Sequence, residues 1–404
     1  MAAANVQQLT NLVLIAVFRC VHFLLLLESD FYAAVKKLIF KEPMSKDDVA
    51  VEYFNVLARR SLPKSESPRI EDFVIFHDFY ANSDEVMSFG WSILHMNERY
   101  VYFSKTNAKF DPEEVSLLDN FSTLKETSEA DRIARIRISA FSDLGLRIPP
   151  FKSKVVILHS LPGCGTIAAR LIQSCDQTRK CLYVWEEAQV LTTLSILSSR
   201  ISIEELRRLL LASLRYALLY QRTDQTVAIQ ARSCSTKLLP YLHAVFPSIQ
   251  HIYVGSQNPK DAVSRIALHN TEFPFVCWLL SNSKHFCDQY TVWRLLEAEM
   301  VTKIGPKTDI ELALAFCLAS YSDFVKNRYF FAAVVHIEEL ISDTALTMQT
   351  ILAICDVSDL AIPECIEWKR QNDLVLHGLW DTVPLSDEDE FRIDQICGYL
   401  GVEW

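Results

Sequence analysis

The chain is organised around the segment VVILHSLPGCGT, which occupies residues 155–166. A run of apolar and β-branched residues, a turn with two glycines and a further apolar segment predict a strand, a tight turn and the start of a helix. In that arrangement backbone N–H groups and the helix dipole converge on an anion, so the segment indicates a phosphate site. A magnesium-dependent nucleotide triphosphatase would need Lys after the second glycine, but Thr166 directly follows Gly165. An ordinary strand-to-helix turn of an α/β domain is the alternative.

Composition limits the classes of protein to which the chain can belong. Its 404 residues, half of them hydrophobic, are enough for two or three units with a substantial core. A net charge of −10 argues against a nucleic-acid partner, because such binding is driven by clustered Lys and Arg. The 11 cysteines show neither CxxC pairs nor Cys/His ligand spacing, so no metal site is indicated and most are expected to be reduced core residues.

An apolar segment at residues 12–27 predicts contact with a membrane. Arg19 and His22 interrupt it, it is a little shorter than the about 20 residues that span a bilayer, and it lacks the basic flank of a signal peptide. Three interpretations are open: a single N-terminal membrane anchor, an amphipathic helix that lies on a membrane, and a buried helix. We favour the anchor, and hence membrane association over a soluble cytoplasmic location. Lysines that follow the segment would hold the next part of the chain in the cytoplasm.

The next part of the chain predicts a small α/β unit. The pattern from about Asp30 to Arg60 is helical and amphipathic, and residues 61–70 form a polar linker with two prolines. Glu71–Lys105 contains three aromatic, β-prone runs separated by turn signals, which predict three strands. Ser128–Leu146 predicts one helix with its arginines on a solvated face, and an N-glycosylation motif begins at Asn120. The domains predicted are an N-terminal helical segment at 1–60, a strand-rich unit at 61–125 and an α/β domain at 126–404.

From Phe151 onward, apolar strands alternate with amphipathic helices, which predicts a parallel sheet with helices on both faces. The five predicted strands are Val155–His159, Cys181–Trp185, Thr226–Ile229, His251–Gly255 and Phe330–His336. Long helices are predicted between them at Ile203–Gln221 and Leu238–Phe246. Ligands of open α/β sheets bind at the carboxyl ends of the strands. We therefore expect one crevice to be lined by the loops at 161–166, 186–189, 230–233 and 256–265.

Those loops, taken in order, resemble the P-loop sulfotransferase superfamily, and in particular its carbohydrate-type members. LPGCGT at 161–166 resembles the loop that holds the 5′-phosphosulfate, and YVWEEA at 183–188 resembles a strand end with a Glu. AIQARS at 228–233 and GSQNPKDAVSR at 255–265 are similar to the basic strand end and the 3′-phosphate segment. VHIEEL at 335–340 is similar to the family's late strand that ends in Tyr-Glu-Asp-Leu.

The resemblance implies an activity and a set of site residues. A member of this family transfers a sulfuryl group from 3′-phosphoadenosine 5′-phosphosulfate, its nucleotide cosubstrate, to a hydroxyl group, here that of a carbohydrate or similar acceptor. Glu186 matches the family's strand-end Glu and would be the catalytic base. The implied contacts to the nucleotide are Pro162, Gly163, Cys164, Gly165, Thr166, Arg232, Lys260, Ser264 and Arg265.

The chain departs from the family pattern at several cations. Gly163 occupies the position at which the first loop of the family usually has a cationic residue. Gln230 replaces the strand-end Lys, and Gln257 replaces an Arg. Lys and Arg make the strong, charge-assisted contacts to phosphate. Two hypotheses therefore stay open: an active sulfotransferase in which backbone N–H groups replace the missing Lys, and an inactive protein of the same fold that binds or organises partners.

Overall fold

The structure is a computed structural model of the chain, and it describes residues 2–40, 51–60, 68–106, 130–176, 181–270, 273–282, 297–358, 361–372, 382 and 384–402. The N-glycosylation motif at Asn120 and most of the predicted linker at 61–70 lie outside these residues. In chain order, the elements are α1 Ala2–Phe40, β1 Val51–Arg59, β2 Phe73–Ala81, β3 Trp91–Met96, β4 Tyr100–Thr106, β5 Ala130–Arg137, α2 Ile138–Arg147, β6 Lys154–Ser160, α3 Cys164–Ser174, β7 Leu182–Trp185, α4 Gln189–Leu197, α5 Ile203–Ala217, β8 Thr226–Gln230, α6 Leu239–Val245, β9 Gln250–Gly255, α7 Pro259–His269, α8 Phe273–Asn282, α9 Ala298–Ile304, α10 Asp309–Asn327, β10 Ala333–His336, α11 Ile337–Ser342, α12 Thr344–Ile354, α13 Ile362–Gln371 and α14 Asp387–Leu400.

The chain forms two compact units that alternate along the sequence. The first unit comprises Met1–Lys152 and Gln189–Arg222, and the second comprises Ser153–Ala188 and Thr223–Trp404. The helices α4 and α5 therefore belong to the first unit. Their place in the sequence, between two strands of the parallel sheet, predicts instead that they cover that sheet.

The first unit contains a five-stranded antiparallel sheet with the strand order β2-β1-β5-β4-β3. The three strands predicted within Glu71–Lys105 are confirmed as β2, β3 and β4. Residues of β1, β2 and β5 form the core of this unit, where Phe54, Ile75 and Ile133 are fully buried in one cluster. The aromatic and β-branched residues thus form the core that their pattern predicts.

Two helix predictions in this unit are wrong. Within the helix predicted from about Asp30 to Arg60, the described residues are helical up to Phe40, but Val51–Arg59 is the strand β1. Within the predicted helix Ser128–Leu146, residues 130–137 form the strand β5, and the described helix α2 begins at Ile138. Both strands pair with a neighbour on each side, so pairing in the sheet overrides a local helical pattern. Arg135, expected on a solvated face, makes an ion pair of 2.7 Å with Glu52.

The helix α1 is 39 residues long and packs against the strand β2. Its small residue Ala33 is buried at this contact, with 2% of its surface exposed. Within the described ranges, no helix has both the length and the apolar character that crossing a membrane requires.

The second unit contains a five-stranded sheet with the order β10-β9-β6-β8-β7, and every neighbouring pair in it is parallel. All five predicted strands are present, each within a few residues of its predicted bounds. Helices flank the sheet, so the predicted α/β fold class is confirmed. Central β6 pairs with β8 through Leu158 and Gln230 and with β9 through His159 and Tyr253. This register places the carboxyl ends of β6, β8 and β9 at one edge.

Candidate functional site

Backbone hydrogen bonds join the first loops to neighbouring strand ends at the carboxyl edge of the parallel sheet. Leu161 donates its N–H to the Val254 carbonyl at 3.0 Å, which connects the first loop to the end of β9. Ala188 donates to the Gln230 carbonyl at 3.1 Å, which connects the loop after β7 to the end of β8. The ends of adjacent parallel strands thus hold the segments around 161, 188, 230 and 255 side by side, as the topology requires.

The first loop has the backbone geometry of an anion site. Gly163, the residue before α3, has a left-handed φ of 83°, and no side chain caps the helix that starts at Cys164. A Cβ added at Gly163 would meet no atom within 4 Å, so the loop is open on this side. The first N–H groups of a helix lack carbonyl partners within it and carry its positive dipole end. The described turn can therefore accept a phosphate or sulfate group.

Gly165 is required by close packing rather than by backbone conformation. A Cβ at this position would lie 2.5 Å from Ser160 Oγ and 3.1 Å from Gln230 Nε2. Gln230 Nε2 also donates to Thr166 Oγ1 at 3.5 Å, while the Gln230 carbonyl accepts the Ala188 N–H. Gln230 therefore contacts both the first loop and the loop that carries the two glutamates. Sequence reasoning counted it only as a missing cation.

Arg265 and Cys164 come together beneath the first loop. Arg265 is 2% exposed, Cys164 is fully buried, and Arg265 Nη1 donates to Cys164 Sγ at 3.7 Å. The neighbouring Ser264 is buried as well. The structure therefore brings one of the three predicted cations to the first loop, at the helix position that the sulfotransferase resemblance assigns to a 3′-phosphate contact.

The buried Cys164 is expected to be unreactive, although a thiol at a helix N-terminus is usually activated. Burial raises the pKa of this thiol to about 11, and the lowering effect of Arg265 does not offset it. In a pulse of maleimide at neutral pH followed by mass spectrometry, we expect label on the exposed Cys20 and Cys181 and none on Cys164. Unfolding the protein in denaturant should make all three equally reactive. Fast labelling of native Cys164 would contradict this result and would indicate a thiol nucleophile.

The other two predicted cations are held by carboxylates of the chain itself. Arg232 makes an ion pair of 2.7 Å with Glu187, whose own φ is a left-handed 48°. Lys260 Nζ lies 3.0 Å from Asp394 and 3.2 Å from Glu390, and the hydrogen bond to Asp394 raises the pKa of the lysine. Both acidic partners of Lys260 lie on α14, a helix to which the sequence assigned no role in the site.

The sequence presents Glu338 only as part of the VHIEEL motif and does not specify its contacts. Its carboxylate accepts hydrogen bonds from Ser256 Oγ and, at 2.9 Å, from the Gln257 N–H. Gln257 Nε2 also donates to the neighbouring Glu339 at 2.8 Å. The donors at the end of β9, where the resemblance places the 3′-phosphate, thus hold an acidic side chain. In the sequence, the similarity of VHIEEL to a family motif was the one feature that pointed to the contact of Glu338 with Ser256 and Gln257.

Glu186 is a buried carboxyl group at the end of β7. It is 8% exposed, and its Oε1 has no hydrogen-bond partner among the described residues. Burial raises the pKa of Glu186, nearby Arg170 lowers it, and Glu187 raises it further, so the net shift is upward. A carboxylate with one free oxygen and a raised pKa is suited to accept a proton from a hydroxyl group.

Comparisons with known proteins give structural matches only. No protein-family model matches the chain, and no curated protein matches it. A sulfotransferase domain from the curacin biosynthetic pathway covers 63% of this chain and 99% of its own, with 11% sequence identity and a TM-score of 0.32. The sulfotransferase STF9 from Mycobacterium avium covers 67% and 82%, with 13% identity and a TM-score of 0.38. The sulfotransferase domain of the Synechococcus PCC 7002 olefin synthase covers 64% and 98%, with 15% identity and a TM-score of 0.34.

Proposed function

We propose that this protein transfers a sulfuryl group from 3′-phosphoadenosine 5′-phosphosulfate to a hydroxyl group of a carbohydrate or similar acceptor. The observation that carries the proposal is the position of Gln230, whose backbone holds the loop of Glu186 and whose amide contacts the phosphate loop at Thr166. A candidate proton acceptor and a candidate anion site are thereby attached to the same strand end. Sulfuryl transfer needs these two groups in proximity.

The residues of the first loop fit the phosphosulfate end of the nucleotide. The N–H groups of Gly163, Gly165 and Thr166 would donate to its anionic oxygens, since the Cys164 N–H already donates to the Leu161 carbonyl, and Arg265 beneath the loop would add positive charge. The nucleotide would supply the sulfuryl group, whose sulfur gains a bond to the acceptor oxygen as its bond to the 5′-phosphate oxygen breaks. Glu186 would take the proton that the acceptor hydroxyl loses.

A second candidate is a binding or scaffold protein in which the nucleotide site is closed. Carboxylates of the chain hold Arg232 and Lys260, and Glu338 accepts hydrogen bonds from Ser256 and Gln257. A nucleotide would have to displace these acidic groups at its 3′-phosphate end. Displacing them would break several charge-assisted contacts, which costs free energy. At the 3′-phosphate end of the site, this cost favours the binding or scaffold protein over the transferase.

Calorimetric titration of the full chain with 3′-phosphoadenosine 5′-phosphate separates the two candidates. The active enzyme is expected to bind this desulfated nucleotide in the micromolar range. Thr166→Glu places a carboxylate in the first turn of α3, where it suits the helix dipole but repels the ligand, and should weaken binding about tenfold or more. Binding that is absent at millimolar nucleotide, for a chain shown to be folded, would overturn the transferase and support the closed site.

The matched control is Leu346→Glu. Leu346 is the third residue of α12 as Thr166 is the third residue of α3, and it is 62% exposed. The substitution adds the same charge to the first turn of a different helix, so nucleotide affinity should not change. An equal loss of affinity in both variants would show that the effect comes from net charge and not from the loop.

A further inference from the structure

Five polar side chains on one side of α1 contact the sheet of the first unit or the turn before β2. Arg19 lies 3.8 Å from Asp72, Ser29 Oγ accepts the His77 N–H at 2.6 Å, and Asp30 pairs with Arg135 at 2.7 Å. Further contacts of the same kind are His22 Nδ1 to the Phe73 carbonyl and Lys36 Nζ to the Asp78 carbonyl. These partners lie on β2, on β5 or in the turn before β2. The sheet thus holds α1 through the polar groups of the helix as well as by apolar packing.

The opposite side of α1 is apolar and faces away from the sheet. Eleven large apolar side chains there expose between 37% and 82% of their surface, namely Val13, Leu14, Val17, Val21, Phe23, Leu24, Leu27, Phe31, Val35, Leu38 and Ile39. Successive helix residues are rotated by about 100°, so this set covers about half of the circumference. We call it the α1 apolar face. Among the described side chains of that arc, Glu28 is the one that carries a charge.

This orientation is the reverse of the usual one for a surface helix, whose apolar stripe faces the core. The eleven side chains together expose on the order of 1,000 Å². The largest apolar patch of a typical monomer is about 300–600 Å², and larger patches mark interaction sites. The α1 apolar face therefore needs a partner that removes it from water.

The width of the face distinguishes between two kinds of partner. A second helix, including α1 of another copy, packs against an apolar stripe about 100° wide and would leave the edges of this arc in water. A helix with its side chains is about 10–12 Å across, and interfacial helices sink about 5–10 Å into the lipid. A half-immersed helix is therefore covered over half of its circumference, which is the extent of the α1 apolar face.

We propose that α1 lies in the surface of a lipid bilayer, with its apolar face among the acyl chains and its polar side on the sheet of the first unit. The proposal is independent of the proposed transferase activity. The net charge of −10 gives no attraction to anionic lipid, and the face itself carries little charge. Apolar burial would drive the binding, so a zwitterionic surface is sufficient and added salt should have little effect.

Flotation of the full chain with phosphatidylcholine vesicles tests the proposal. We expect the wild type to float with the vesicles equally well at low and high salt. The double variant Leu24→Glu, Leu27→Glu changes two residues that are 64% and 59% exposed, so it should fold normally. It should lower the partition coefficient by about tenfold or more, because each charge opposes insertion of the face. Leu346→Glu, at 62% exposure on another helix, should float as the wild type does.

Other outcomes would overturn the proposal. A folded wild type that stays in the lower fraction, or a double variant that floats like the wild type, would show that the face does not enter lipid. Binding only to anionic vesicles, lost on adding salt, would show attraction by charge instead. Resistance to extraction with alkaline carbonate would indicate a spanning helix. A soluble dimer that the double variant dissociates, without flotation, would assign the face to a second copy.

Discussion

Alanine in place of Gly145 is expected to lower the free energy of unfolding of the first unit by about 3 kcal/mol, at the upper end of the usual cost of overpacking. Gly145 lies in α2, and a Cβ added to it would stand 2.2 Å from the Cβ and 2.4 Å from the Cα of Ala212 in α5. Because the nearest atoms belong to backbone and to a side chain without rotamers, the two helices would have to separate. Denaturant unfolding monitored by circular dichroism measures the change.

Gly398→Ala is the control for this prediction. Gly398 also lies within a helix, α14, but a Cβ there would meet no atom within 4 Å. Alanine should raise stability by up to about 1 kcal/mol, because it restricts the unfolded chain and favours the helix. Destabilisation by both substitutions, or by neither, would contradict the close approach of α2 and α5.

Glutamine in place of Glu186 is expected to lower kcat for sulfuryl transfer by about 100-fold or more, since a positioned general base contributes at least that factor. The amide keeps the size of the side chain but cannot accept the proton. Affinity for the nucleotide should change little, because the phosphate loop is untouched. Steady-state rates with a hydroxyl acceptor, together with the titration described above, measure both quantities.

The pH profile gives the same prediction a second readout. A base acts in its ionised form, and burial raises the pKa of Glu186 above that of an ordinary glutamate. The wild-type rate should therefore rise with pH through this raised pKa and then level off, whereas the residual rate of the glutamine variant should lack that step. Glu187→Gln is the neighbouring control: its side chain is 38% exposed and pairs with Arg232, so its loss should affect kcat far less. A larger loss for Glu187→Gln than for Glu186→Gln would reverse the assignment of the base.

Much of the second unit could be predicted because its signals are local. Strands of a parallel sheet are buried on both faces, so segments such as VVILHS and HIYVG are continuous apolar runs bounded by turn residues. The first unit was harder. The sequence of β5, ADRIARIR, carries three arginines and alternates poorly, and it is a strand because β1 and β4 pair with it.

The sequence predicts the backbone turn of the candidate site better than it predicts the ion-pair partners of its cations. The turn at Gly163–Thr166 follows from glycines placed between an apolar strand and an apolar helix. The sequence also indicates Arg232, Lys260 and Arg265 as cations near the strand ends. It contains no local signal that Lys260 pairs with Glu390 and Asp394, or that Glu338 reaches Ser256.

The sequence by itself determined the parallel strands, the glycine turn and the apolar character of α1, because each depends on residues within a few positions of one another. The tertiary structure alone decided which carboxylate neutralises each cation, which carboxyl group is buried, and which side of α1 faces water. Lys260 and Glu390 are 130 positions apart, and Arg135 and Asp30 are 105 apart. Contacts of this kind depend on distances through space that only the packed chain establishes, and the energies of charges change with burial, which the order of residues does not specify.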